Sequence, residues 1–199
     1  MSFDRSSLRV EEYRALRATV RERGTTRLIV STITFVSWAT LAVVVYAVSA
    51  IPLIAVFPLF VLVAGFEVVF ATHVGVERVG RYLQVHYEAP PGELPRWEQV
   101  VMKLGREGLP SGGIDPVFSA LFATAAILNL APIALATYGA APMLVGGLSA
   151  EFAFYIFVHV LFIARVLVAR RFIRGQRARE LELFQKDWTR PSDTTPDQG

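Results

Sequence analysis

Four long apolar stretches dominate the pattern of the chain: 28–49, 51–71, 117–138 and 148–169. Each runs to about 21 or 22 residues, and a helix needs ~20 to cross the hydrocarbon core of a bilayer. The first and third carry no charge, the second holds only Glu67, and the fourth holds Glu151 and Arg165. The pattern predicts an all-α fold, an integral membrane four-helix bundle. A cleaved leader competes for the first stretch, with Val48-Ser49-Ala50 as its cleavage site. The apolar core of a leader spans only ~7–15 residues, so a membrane span is the better reading.

Polar residues fill the intervals unevenly. Arg5, Arg9, Arg14, Arg17, Arg21, Arg23 and Arg27 precede the first stretch. Arg78, Arg81, Arg96, Lys103 and Arg106 lie between the second and third, and a further basic group runs from Arg170 to Arg190. The short gaps around Ala50 and around 139–147 carry no basic residue. Basic residues collect on the cytoplasmic side of a membrane. Both termini and the loop 72–116 are therefore expected in the cytoplasm of a cell (inner) membrane protein, with the two gaps outside.

Helical patterning continues past the apolar stretches. Residues 1–27 form an expected cytoplasmic amphipathic helix with Val10, Tyr13, Leu16 and Val20 on one arc and Gly24 as its stop. The remainder, 28–190, reads as a single four-span membrane domain. Within it, spans 2 and 4 are expected to carry cytoplasmic helical extensions. One is 74–87, interrupted only by Gly75 and Gly80, and the other is 170–188, with Leu181, Phe184 and Trp188 as a stripe. These extensions are expected to pack together as a layer beneath the membrane; lying on the lipid surface is the competing arrangement. The loop predicts a short interfacial helix after Pro95, with Trp97, Val100, Val101 and Leu104 on one face. Pro52 is placed to start span 2, while Pro58 and Pro132 fall inside spans. Span 3 is rich in small residues from Ser119 to Ala126, which suits a helix buried among the others. The tail 191–199 is expected to be disordered.

Composition narrows the chemistry. Of 199 residues 53% are hydrophobic, above the ~45–50% of soluble domains. There is no cysteine, so neither a disulfide framework nor a thiolate metal site is available. Every basic residue except Lys103 and Lys186 is arginine, a bias expected of a GC-rich bacterial genome. Basic and acidic residues are interspersed, with a formal net charge of only +3, so nucleic acid is not an expected partner. Nucleotide-binding, nucleophile-elbow and zinc-protease motifs are absent.

What remains are ionisable and polar residues placed where hydrocarbon makes them costly. Glu67 and Arg165 lie at nearly the same depth on parallel spans and are expected to approach as an ion pair. Asn129 and His159 agree in depth well enough for an interhelical hydrogen bond. His73 and Glu77 share a helix face at i, i+4, the spacing of a candidate metal site, although ordinary salt pairing is the plainer reading. Phe152, Phe154, Tyr155, Phe157 and Phe162 are expected to face lipid and pack. No cofactor is called for. The expected partners are the lipid bilayer and either a second copy or another membrane protein. The leading function is a non-catalytic scaffold or accessory subunit acting through the cytoplasmic helices. A small homodimeric transporter or channel using Glu67, Arg165 and His159, with Asn129 on the path, is the alternative, and a membrane-embedded metal or quinone enzyme is the third.

Overall fold

The computed structural model describes residues 5–48, 52–87, 116–139 and 150–189. Every element among them is helical: α1 (Arg5–Val48), a 3-10 turn (Pro52–Ala55), α2 (Val56–His86), α3 (Pro116–Gly139) and α4 (Ala150–Thr189). The interfacial helix around Trp97, the Gly139–Gly147 turn and the tail 191–199 fall wholly or mostly outside the described residues.

Three helices are long and apolar enough to cross a membrane: those holding the first, second and fourth apolar stretches. The described side chains of α3, Val117–Ala131, form a shorter apolar segment, while its backbone helix runs for 24 residues. At ~1.5 Å per residue, the 44 residues of α1 and 40 of α4 each reach about 60 Å or more, twice a hydrocarbon core. Half of each rod must therefore lie outside any bilayer it crosses. The surface is apolar where the sequence is: Val36, Val43, Phe57, Phe60, Leu161 and Val168 are all exposed, while Asn129 and His159 are fully buried. A soluble domain rarely leaves apolar side chains out in such continuous rows.

Two of the expected helical extensions are present. α2 runs without a break past Ala71 to His86, and α4 continues through Arg170 to Thr189. The expected stop at Gly24 is not: α1 passes straight through it. A helical glycine costs ~1 kcal/mol, less than the contacts that hold this part of α1 against α2. Tyr82 and Tyr87 both donate hydrogen bonds to Glu12, Tyr13 packs on Tyr87, and Arg27 reaches His73. Tyr13, Leu16 and Val20 of the expected apolar arc are half-buried, whereas Val10 is exposed. Pro52 opens the 3-10 turn, and α2 proper begins at Val56.

The helix directions follow from the contacts. α1 and α2 are antiparallel, with Glu12 beside Tyr82, Arg27 beside His73 and Thr34 beside Gly65. α2 and α4 run parallel in a constant register: the offset is 98 residues at Glu67–Arg165 and 99 at Arg81–Glu180. α1 and α3 are also parallel, through Arg27–Phe118 and Trp38–Asn129. The apolar core lies where α2, α3 and α4 meet. Phe66 stands at its centre, edge-on to Phe122 (5.4 Å) and Phe162 (5.8 Å), with Leu62, Ala126 and Val166 around it. α1 closes the fourth side with Phe35, 4.9 Å from Phe122. On α3 the buried residues Ser119, Phe122, Ala125, Ala126 and Asn129 form one stripe. Ala120 and Thr124 point out, so the small residues of this helix are divided between two faces.

Candidate functional site

Above the Phe66 core, in the apolar part of the molecule, four helical side chains converge on Asn129. Asn129 Nδ2 lies 3.0 Å from His159 Nε2. Trp38 Nε1 donates to Asn129 Oδ1 at 3.2 Å. The Tyr46 hydroxyl donates to the Asn129 backbone carbonyl at 2.6 Å, and the Tyr155 hydroxyl donates to the same oxygen. His159 Nδ1 lies 2.8 Å from the carbonyl of Tyr155, one turn back on α4. That carbonyl can only accept, so Nδ1 carries the ring proton and Nε2 accepts from Asn129. The amide orientation follows: nitrogen towards histidine, oxygen towards Trp38 and Tyr46. The ring is neutral, and both of its nitrogens are in use.

The two phenols reach the Asn129 carbonyl from neighbouring helices, Tyr46 from α1 and Tyr155 from α4. A buried tyrosine or tryptophan generally finds such a partner. Asn129, His159 and Tyr155 are each 0% exposed, so this is a closed polar knot rather than the wall of an open path.

Glu67 and Arg165 meet as expected, with Arg165 Nη2 2.8 Å from Glu67 Oε2. Their side chains are 42% and 39% exposed, which puts the pair on the outer surface of the α2–α4 seam. The guanidinium stacks 4.8 Å from the Phe70 ring centroid and 5.8 Å from that of Phe66. Arg165 is six residues beyond His159, about 9 Å along the helix. The two polar sets on which a transport path would draw are thus separate: one sealed inside the bundle, the other on its perimeter.

His73 and Glu77 share a helix face but take different cationic neighbours. Arg27 Nη1 is 3.2 Å from His73 Nδ1, and Glu77 Oε2 is 3.2 Å from Arg81 Nη1. Among the described residues, no three His, Asp or Glu side chains gather closely enough to hold a metal ion.

The charged ends of α1, α2 and α4 form a second constellation. Arg81, only 4% exposed, donates through Nε (2.9 Å) and Nη2 (2.5 Å) to Glu180 Oε2. Arg78 Nε (3.1 Å) and Gln176 Nε2 (2.5 Å) donate to Glu180 Oε1. Burial pushes the Glu180 carboxyl up, but the Arg81, Gln176 and Arg78 hydrogen bonds with the Arg81 charge outweigh it, leaving the group below its ordinary value. On the other side of α2, burial and the Glu12 carboxylate push the Tyr87 hydroxyl up to about 12. Phe184 packs edge-on to Tyr82 at 5.8 Å and completes the layer. Side-chain contacts thus join the α1, α2 and α4 extensions. Those of Trp188 lie outside the described residues.

Asn129 and His159 meet as their depths predict, whereas Trp38, Tyr46 and Tyr155 join them without any expectation from the sequence. Tyr155 belonged to an aromatic run expected to face lipid and pack; it is buried, whereas Phe154 and Phe157 are exposed. Tyr155, His159, Phe162, Val166 and Ala169 form the buried stripe of α4, but the exposed positions between them, such as Phe157, Leu161 and Val168, are equally apolar, so the spacing did not mark it in the sequence.

The fold defines a class, a helical protein with three helices able to cross a membrane. No protein-family model matches the chain, and no curated protein or solved structure is found to be similar to it.

Proposed function

We propose that the chain is a four-span protein of the bacterial inner membrane, with both termini and 72–116 in the cytoplasm. It acts without catalysis, as a scaffold or accessory subunit that binds a membrane partner or a second copy through its cytoplasmic helices. One observation carries this reading. Helices α1, α2 and α4 each continue from an apolar segment into one cross-linked charged layer, through Glu12, Tyr82, Arg81 and Glu180. A layer held to membrane spans by unbroken helices gives a partner a fixed surface. The 24-residue length of α3 and the uncharged sequence 117–138 support a fourth span. The distribution of arginine supports the orientation.

Two measurements test the reading. Reporter fusions are expected to place Ala50 and Ala140 outside and both termini inside. Gentle solubilisation from native membranes is expected to recover a complex that R81Q, which breaks the layer, weakens. A cytosolic reporter at Ala50 or Ala140, or a chain that stays dissolved without detergent, refutes the topology. Recovery of a monomer alone, or loss of proteoliposome flux in an inserted E67Q protein, refutes the scaffold in favour of the other readings.

A further inference from the structure

Arg27 is the last charged residue of α1 before its uncharged run begins at Leu28. Its guanidinium has no carboxylate partner among the described residues. Nη1 is spent on His73 Nδ1, the face stacks 5.1 Å from the Phe118 ring centroid, and Nε is buried with no hydrogen-bond partner. A buried charged donor without an acceptor is costly, and such a group in a native fold calls for an explanation. Next to Phe118 in α3, Ser119 Oγ is also buried without a partner, in a residue only 3% exposed. One turn earlier on α1, Arg23 lies on the same helix face as Arg27. Its Nη1 rests against the backbone of α2 at Gly75, where an added Cβ would stand 2.2 Å from it. Arg23 too has no carboxylate partner among the described residues.

We propose that Arg23 and Arg27, with Gly75 leaving room, hold a phosphate group: that of an anionic phospholipid in the adjoining leaflet. Guanidinium forks match phosphate oxygens in pairs, and two of them one turn apart suit one tetrahedral anion better than a planar carboxylate. The position fits the source. Where α1 changes from charged to apolar, a spanning helix meets the phosphate layer of the bilayer. The lipid assignment rests on the membrane reading above. The phosphate chemistry does not, and free phosphate would use the same donors.

The test is a titration of delipidated protein in maltoside detergent, read as the unfolding temperature by tryptophan fluorescence. Phosphatidylglycerol is expected to raise the midpoint where an equal fraction of phosphatidylcholine does not. The R27Q protein is expected to need about ten-fold more phosphatidylglycerol for half the effect, the loss of roughly one charge-assisted hydrogen bond. G75A is a milder probe, because its methyl meets only the end of the Arg23 side chain; it is expected to weaken the response in the same direction. R14Q, which removes an exposed arginine paired with Glu11, should leave the response unchanged. If R27Q does not fold, R27K keeps the charge, loses the fork and is expected to fall between. Equal response to the two lipids, or a wild-type response in both R27Q (or R27K) and G75A, overturns the site. Saturation by inorganic phosphate with no effect of phosphatidylglycerol overturns the lipid source alone. Should the protein prove soluble without detergent, the membrane reading fails, and the phosphate titration in buffer still decides the site.

Discussion

A close approach of two helices at a glycine gives a sharp prediction. At Gly65 the backbone of α2 meets Thr34 of α1. A Cβ built there would lie 2.1 Å from Thr34 Oγ1, 2.3 Å from Cγ2 and 2.7 Å from Cβ. Rotating Thr34 does not clear the space: its two γ atoms fill two of three staggered positions, so one of the two clashing positions stays occupied in any rotamer, and the backbone fixes Cβ. Carbon atoms pack at ~3.5–4.0 Å, so Gly65→Ala must force α1 and α2 apart by about 1 Å along a seam that runs from Glu12 to Thr34. Overpacking of this kind costs ~1–3 kcal/mol, and the ~1 kcal/mol gained by alanine in a helix offsets part of it. A net loss of about 2 kcal/mol is expected, since backbone rather than side-chain movement is required. Gly24 and Gly175 are internal controls: nothing lies within 4 Å of a Cβ at either, so alanine there should stabilise by ~0.5–1 kcal/mol. Reversible unfolding in mixed micelles measures all three variants on one scale. Adding Thr34→Gly to Gly65→Ala removes every clashing atom and should recover part of the loss, visible as coupling in a double-mutant cycle. If Gly65→Ala is as stable as Gly24→Ala, the α1–α2 packing described here is wrong.

Two further predictions concern the polar residues. Asn129→Leu removes the side-chain partners of Trp38 and His159 but keeps the backbone carbonyl that takes Tyr46 and Tyr155; hydrogen bonds between membrane helices average ~0.6 kcal/mol, so the loss of these two should lower stability by about 1 kcal/mol, with a shift in Trp38 emission when Trp97 and Trp188 are replaced by Phe. The charged layer should respond to pH at both extremes. The folded Glu180 carboxyl titrates below the ordinary 4.5, so its contribution is present above that pH and lost as pH falls through the folded value; Glu180→Gln should flatten the acid slope of the unfolding midpoint. Tyr87 behaves in the opposite sense: its value rises from 10.0 to about 12, so stability present below 10 is lost as pH climbs towards 12, and Tyr87→Phe should remove that alkaline loss. An unchanged acid slope in Glu180→Gln would contradict the Arg81–Glu180 contact.

Much of this was legible in the chain because depth along a helix is simple arithmetic. Glu67 and Arg165 could be paired from their distances to the ends of parallel stretches, and Asn129 with His159 likewise, since each residue adds a fixed rise. Azimuth was harder to read. Nothing in an almost wholly apolar helix says which side faces lipid, because lipid and protein core favour the same side chains. The perimeter position of Glu67–Arg165 and the burial of Tyr155 were therefore hidden, and so were Trp38 and Tyr46 as partners of Asn129. Gly24 was misread for a different reason. Local propensity favoured a stop, but the acceptors and rings that carry the helix through it lie on α2, some 60 residues away in sequence.

The two polar constellations gain meaning from the rods that join them. α4 carries His159 in the upper knot and Glu180 in the charged layer, 21 residues and about 32 Å apart, with no proline between them. α2 carries Glu67 and Arg81 in the same register against α4 at both heights. In lipid, apolar contacts alone select a helix register poorly, since hydrocarbon offers them equal company. Hydrogen bonds with fixed donors and acceptors can select it. The Asn129 knot sets α3 and α1 against α4, and the Arg81–Glu180 clasp sets α2 against α4. Sliding α4 by one turn, ~5.4 Å, would break both sets at once, because an unbroken helix cannot slip at one end and hold at the other. The charged layer is thus registered by side chains buried far above it, and a partner bound to that layer would meet a surface fixed by the whole bundle.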